Sequence, residues 1–269
     1  MSRPLADFAI RALSAGLLGA VMLATILYGG VWGVAALASV IGVLAGAELV
    51  AITRRERRTP DTLAGLAAIV ALPLAAARFG ADGIAPVLAA LVVGALIWHV
   101  AFRSLRLADT AITVFGAAYI GLPFAHLVLL RQLPDGVSLC LVMVFGVWAN
   151  DVFAYLAGST FGRTPMAPRI SPKKTWEGFL AGTLATTLVW AVVGTMLTDL
   201  PLDRLIIVGL AASLAAAIGD LAESRIKREM MVKDSGRLLP GHGGFLDRFD
   251  SFILVTIVTY HVLVLAGAR

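Results

Sequence analysis

Apolar runs of about 17 to 23 residues recur along this chain, each long enough to cross a hydrocarbon core of roughly 30 Å as a helix. They fall at about 8–28, 31–52, 62–78, 84–102, 109–130, 136–157, 177–197, 203–222 and 251–267. This pattern specifies an all-α, polytopic membrane helical bundle of about nine transmembrane helices. Composition agrees, because 59% of the residues are hydrophobic and only 14% are charged. A soluble domain of this length needs a larger polar surface. Arg3 and Arg11 precede the first run, which has no convincing small-residue cleavage site and leads directly into a second span. It therefore reads as an uncleaved first helix. Cys140 is the single cysteine and lies in an apolar run, so it closes no intramolecular disulfide.

Basic residues set the expected orientation, since Lys and Arg are retained on the cytoplasmic side. With the N-terminus inside, 18 of the 22 Lys and Arg residues fall in cytoplasmic segments; Arg78, Arg131, Arg204 and Arg269 fall outside. The expected location is the cytoplasmic (inner) membrane, with the functional face toward the cytoplasm. Residues 1–135 supply about five spans as an N-terminal transmembrane region, and 136–269 carry the remaining spans and two polar cytoplasmic segments, at 158–176 and 223–250. Those two segments hold the candidate chemistry.

Asp220 sits at the cytoplasmic end of an otherwise apolar helix. If that helix continues inward, Asp220, Glu223, Ser224 and Lys227 follow at i, i+3, i+4 and i+7 and share one face. Such a face suits a metal-bound phosphate, although an amphipathic helix end with an ion pair explains it equally well. Lys233-Asp234-Ser235-Gly236 then leads through Pro240 to Gly241-His242-Gly243-Gly244, and Asp247 and Asp250 precede the last span. The glycines allow backbone N–H groups to approach an anion closely. Asp247 and Asp250 share one face at a helix start, where carboxylates cap amides or hold a cation. Paired carboxylates with nearby bases match the needs of two-cation phosphoryl transfer. In the other segment, Asp151 and Tyr155 are followed by Ser171-Pro172-Lys173-Lys174-Thr175-Trp176-Glu177-Gly178. This reads either as a basic turn with a Thr175 helix cap or as a phosphate-binding element.

The run Ser224-Arg-Ile-Lys227-Arg228, then Lys233-Asp234, then Pro240-Gly-His242-Gly243-Gly244-Phe-Leu-Asp247-Arg248-Phe-Asp250 resembles the signature of the phosphatidate cytidylyltransferases, also called CDP-diacylglycerol synthases. Asp151 to Gly158 and Ser171 to Gly178 resemble that family as well, so the likeness covers 145–250, while the first four spans agree only in hydropathy and length. The resemblance implies conversion of CTP and phosphatidic acid to CDP-diacylglycerol and pyrophosphate, with magnesium in a two-cation site whose second ion is divalent or monovalent. It implies that Ser224, Lys227, Asp247 and Asp250 belong to the catalytic site, with Asp220, Asp247 and Asp250 as metal ligands. Arg228 and Lys233 are expected at substrate phosphates, His242, Gly243 and Gly244 along the pocket, and Lys173 and Lys174 on either substrate. Membrane lipids are the expected surroundings, and no nucleic-acid partner is expected.

Other polar residues have simpler readings. Glu48 lies within the second span close to Arg54–Arg58, so snorkelling toward arginine outweighs a site role. His99, His126 and His261 lie near helix ends and read as packing or interface residues. Gly42/Gly46 and Gly158/Gly162 form GxxxG pairs, which leave room for a homodimer. A transporter would place polar residues near mid-membrane with matched broken helices, and neither is evident. A polyprenol kinase or a CDP-alcohol phosphotransferase is a nearer rival, but the Asp-Gly-x-x-Ala-Arg opening of the latter is absent.

Overall fold

The computed structural model describes residues 3–56, 58–236 and 243–268. Nine α-helices occur among the described residues: α1 (Arg3–Tyr28), α2 (Gly30–Arg55), α3 (Thr62–Phe79), α4 (Ile84–Ala101), α5 (Leu107–Gln132), α6 (Gly136–Thr160), α7 (Trp176–Leu197), α8 (Leu202–Glu229) and α9 (Leu246–Leu265). Each expected span has its helix, and the all-α membrane class holds. Among the described residues, seven segments are long and apolar enough to cross a membrane when Thr62–Ala101 is taken as a single stretch of 40 residues. A straight helix of that length would reach roughly 60 Å, about twice the hydrocarbon thickness. The 3₁₀ turn Gly80–Gly83 breaks it, and the positive φ of Gly80 makes the reversal accessible.

Two features depart from the sequence reading. The segment before α7 contains a short antiparallel hairpin, β1 (Pro165–Ala167) and β2 (Ser171–Thr175), paired Pro165 to Thr175 and Ala167 to Ser171. Helix α8 runs seven residues past its expected end at 222, to Glu229. Asp220, Glu223, Ser224 and Lys227 are therefore all helical.

The chain forms two compact units. The first comprises Met1–Leu129 with Glu229–Phe249. Here Gly42 and Gly46 bring α2 against its neighbours: a Cβ at Gly42 would lie 2.7 Å from Ile69 Cγ2, and one at Gly46 2.7 Å from Ile69 Cδ1. This GxxxG pair is thus used in packing α2 on α3. The connection from α2 to α3 is held by the start of α5. Buried Asp109 accepts the Thr59 and Arg106 amides, each at 2.9 Å, and Thr113 Oγ1 accepts the Asp61 amide at 2.8 Å. Asp61 in turn caps α3 by accepting the Ala64 amide.

The second unit comprises Leu130–Arg228 with Asp250–Arg269. Trp190 of α7 is fully buried, and a Cβ at Gly209 of α8 would approach Trp190 Cβ to 3.1 Å. Small residues allow such close approach where lipid supplies no hydrophobic drive for helix association. Hydroxyls join the same helices. Ser213 Oγ donates to Thr183 Oγ1 at 2.8 Å, and Thr186 Oγ1 donates to the Gly146 carbonyl at 3.1 Å. The second GxxxG pair, at the end of α6, lies against the hairpin: a Cβ at Gly162 would come within 2.8 Å of Thr175 Oγ1.

Replacing Gly46 by Val should overpack α2 against Ile69 and Leu66 and cost about 1–3 kcal/mol. Gly16→Ala is the comparison, because a Cβ there meets nothing within 4 Å. Thermal unfolding in detergent should show a lowered midpoint for the first variant and an unchanged one for the second.

Candidate active site

In the second unit the site is built from the ends of α6, α8 and α9 and from the hairpin. Thr175 ends β2 and caps α7, its hydroxyl accepting the Gly178 amide at 3.2 Å. Glu177, in the first turn of α7, accepts the Thr164 hydroxyl at 2.9 Å and the Thr164 amide at 3.2 Å, which closes the hairpin at its base. At the turn, Arg228 Nε donates to the Ile170 carbonyl at 3.5 Å. With both ends held, the hairpin presents Lys174 to Asp220, and the two form an ion pair. Lys173, on the same strand, is exposed.

Along α8, the side chains expected on one face do interact. Ser224 Oγ donates to Asp220 Oδ1 at 3.4 Å. Lys227 pairs with Glu223 at 2.8 Å, and Glu223 has 0% of its side chain exposed. A carboxylate buried this completely requires a cation beside it. Helix α9 approaches α8 closely, since a Cβ at Gly219 would lie 2.7 Å from the Asp250 carbonyl oxygen. Asp250 Oδ1 accepts the Ser251 amide at 2.6 Å. Its carboxylate also lies in the electrostatic field of Asp220, Glu223 and Asp151. Four acids and two lysines thus concentrate at the end of one helix bundle.

The first unit contains Asp247 and its loop. Asp247 Oδ2 accepts the Ser235 amide at 3.0 Å and the Gly244 amide at 2.9 Å. Gly243 has a φ of 84°, a conformation that favours glycine. Of the two roles open to a carboxylate at this helix start, Asp247 takes amide capping, accepting the Gly244 amide. Lys233 is exposed. His242 lies outside the described residues.

Glu48 departs most from the sequence reading. It is 4% exposed, and its Oε2 accepts both Ser235 Oγ and the Leu246 amide at 3.0 Å. It holds the loop rather than snorkelling to arginine. A lone glutamate within an apolar run was the only signal for it. Of the histidines, His99 bonds Thr110 Oγ1 at 3.0 Å and His126 bonds the Leu122 carbonyl at 2.7 Å, as packing residues do.

Among the described residues, no three His, Cys, Asp or Glu side chains converge closely enough to enclose a metal ion. The donor set still fits magnesium, a hard cation that takes one or two protein carboxylates and fills its remaining positions with water and substrate phosphates. Asp220 and Asp250 are such carboxylates, and the Lys174 ammonium paired to Asp220 shows that this oxygen already attracts positive charge.

A model of the cytidylyltransferase family matches residues 9–266. Relatives named phosphatidate cytidylyltransferase include one from Bacillus subtilis, 38% identical over 200 residues that cover 72% of this chain and 74% of the relative. One from Staphylococcus haemolyticus is 42% identical over 55% of this chain and 56% of its own length. One from Mycobacterium leprae is 37% identical over 59% and 51% respectively. The alignments thus span about three-quarters of the first relative and about half of the other two.

Replacing Lys227 by Met should leave Glu223 buried without the cation it faces, at a cost of about 3 kcal/mol or more. Adding Glu223→Gln should recover much of that loss, because the buried charge is then gone. Denaturation of the single and double variants in detergent checks this. A double variant less stable than Lys227→Met would contradict the pairing.

Proposed function

The chain belongs to the cytidylyltransferase family, and we propose that it acts on phosphatidate, transferring the cytidylyl group of CTP to give CDP-diacylglycerol and pyrophosphate. The observation that carries this reading is the concentration of acids and lysines where α8 leaves the apolar core: Asp220 with Lys174, and Glu223 with Lys227. Both substrates are polyanions, and a site that brings them together must neutralise charge from groups fixed in advance.

A phosphatidate phosphate oxygen attacks the α-phosphorus of CTP. A new P–O–P linkage forms, the bond from the α-phosphorus to the bridging oxygen of the β-phosphate breaks, and pyrophosphate leaves with that electron pair. A phosphomonoester has a second pKa of about 6, so the attacking oxygen is largely ionised near neutral pH. No general base is needed.

Lys174, Lys227 and Arg228 are assigned to substrate phosphates, with exposed Lys173 and Lys233 drawing the anions in. The Gly244 amide holds Asp247, Gly243 supplies the positive φ beside it, and Ser224 orients Asp220 through its hydroxyl. Asp220 and Asp250 would hold magnesium; the assignment of Asp247 as a further ligand rests on the signature it belongs to. When bound, the ion would neutralise charge on the transferring and leaving oxygens. The proposed setting is the cytoplasmic membrane with the site facing the cytoplasm, supported by the bias of Lys and Arg toward one side of the spans.

Protein purified in detergent should release pyrophosphate from CTP only when phosphatidic acid and magnesium are both present. Asp247→Asn should reduce that release by about 100-fold or more, as loss of a group that fixes charge in a site does. Release independent of the lipid, or folded protein giving none, would overturn the proposal.

A further inference from the structure

Glu48 stands 187 residues before Ser235 in the chain, yet its carboxylate bonds both Ser235 and the start of α9, the helix that carries Asp247. Glycines close around it. A Cβ at Gly236 would lie 2.6 Å from Glu48 Cδ, and one at Gly244 would lie 2.7 Å from the same atom. Both Ser235 Oγ and the Leu246 amide donate to a single oxygen, Oε2. The other, Oε1, is buried and makes no hydrogen bond among the described residues. Leu246 opens α9, so its amide is one of the donors that a helix start leaves without an intrahelical acceptor. Ser235 is held twice, by Glu48 through its hydroxyl and by Asp247 through its amide.

We propose that Glu48 is a positioning residue for Asp247: it fixes Ser235 and the first turn of α9, and through them sets the direction of the Asp247 carboxylate. The consequence for catalysis rests on the cytidylyl-transfer reading; the consequence for loop order does not. Because one oxygen receives both hydrogen bonds, the role depends on an acceptor at the right reach and not on charge. Gln keeps that acceptor. Asp withdraws it by one methylene, and Ala removes it.

The ranking of variants is therefore distinctive. Glu48→Gln should retain most of the turnover. Glu48→Asp and Glu48→Ala should lower kcat by roughly 10- to 100-fold, as losing the partner of a ligand carboxylate does, with KM for CTP within about twofold of the parent. A role for Glu48 through charge predicts the reverse order, with Asp better than Gln.

Hydrogen exchange supplies a readout independent of activity. In Glu48→Ala the peptides containing Ser235 and 244–247 should exchange faster, while those of α6 and α7 stay unchanged. Gly236→Ala offers a second route. The backbone of Gly236 lies outside the left-handed region, so the added methyl conflicts with Glu48 itself, and its penalty should shrink in the Glu48→Ala background. Unchanged exchange in Glu48→Ala, or Asp outperforming Gln, would overturn the proposal. A parent protein that exchanges as described but makes no CDP-diacylglycerol would overturn the cytidylyl-transfer reading and leave the positioning role standing.

Discussion

Hydrocarbon supplies no hydrogen-bonding partner, and this constraint orders everything else in the molecule. The backbone must satisfy itself, so each apolar run becomes a helix. Side-chain charge is costly at the same depth, so most of it collects where helices leave the apolar zone. The acids that remain buried are matched to donors one by one. Glu223 faces Lys227, Asp109 accepts two amides, and Glu48 accepts a hydroxyl and an amide. The Asp109 and Glu48 contacts also fix segments that have no regular structure of their own. Burying an acid and ordering a loop are here a single physical event.

That coupling bears on the proposed chemistry. Two polyanions can meet only where positive charge is already fixed in place, because reorganising solvent or side chains during the reaction would raise the barrier. In the second unit, Lys174 and Lys227 are each held by a carboxylate, and the hairpin carrying Lys174 is closed at both ends by Glu177 and Arg228. In the first unit, Asp247 is held by two amides of a loop that Glu48 anchors. The side chains assigned to the proposed site are thus held by contacts within the protein itself.

Much of this was legible in the sequence because hydropathy and run length report directly on membrane spans. The shared face of Asp220, Glu223, Ser224 and Lys227 followed from helical periodicity, though the end of α8 did not, since a charged helix turn and a polar loop look alike in composition. The hairpin was hidden for a related reason. Strands of three and five residues containing Pro165, Pro172 and two lysines show no alternating pattern. Glu48 was illegible in a different sense: its partners lie 187 and 198 residues away, beyond any local pattern, and the neighbouring arginines offered a nearer explanation. The signature around Asp247 singled out this segment, but not the amides that its carboxylate accepts.

The most direct test of the central claim is the fate of the individual phosphates of CTP. The protein is incubated with phosphatidic acid, magnesium and CTP labelled at either the α- or the γ-phosphate, and the lipid is then extracted. Cytidylyl transfer predicts that the α-label enters the lipid and the γ-label stays in water-soluble pyrophosphate. Label from the γ-phosphate in the lipid, with none from the α-phosphate, would contradict the account and make the protein a lipid kinase.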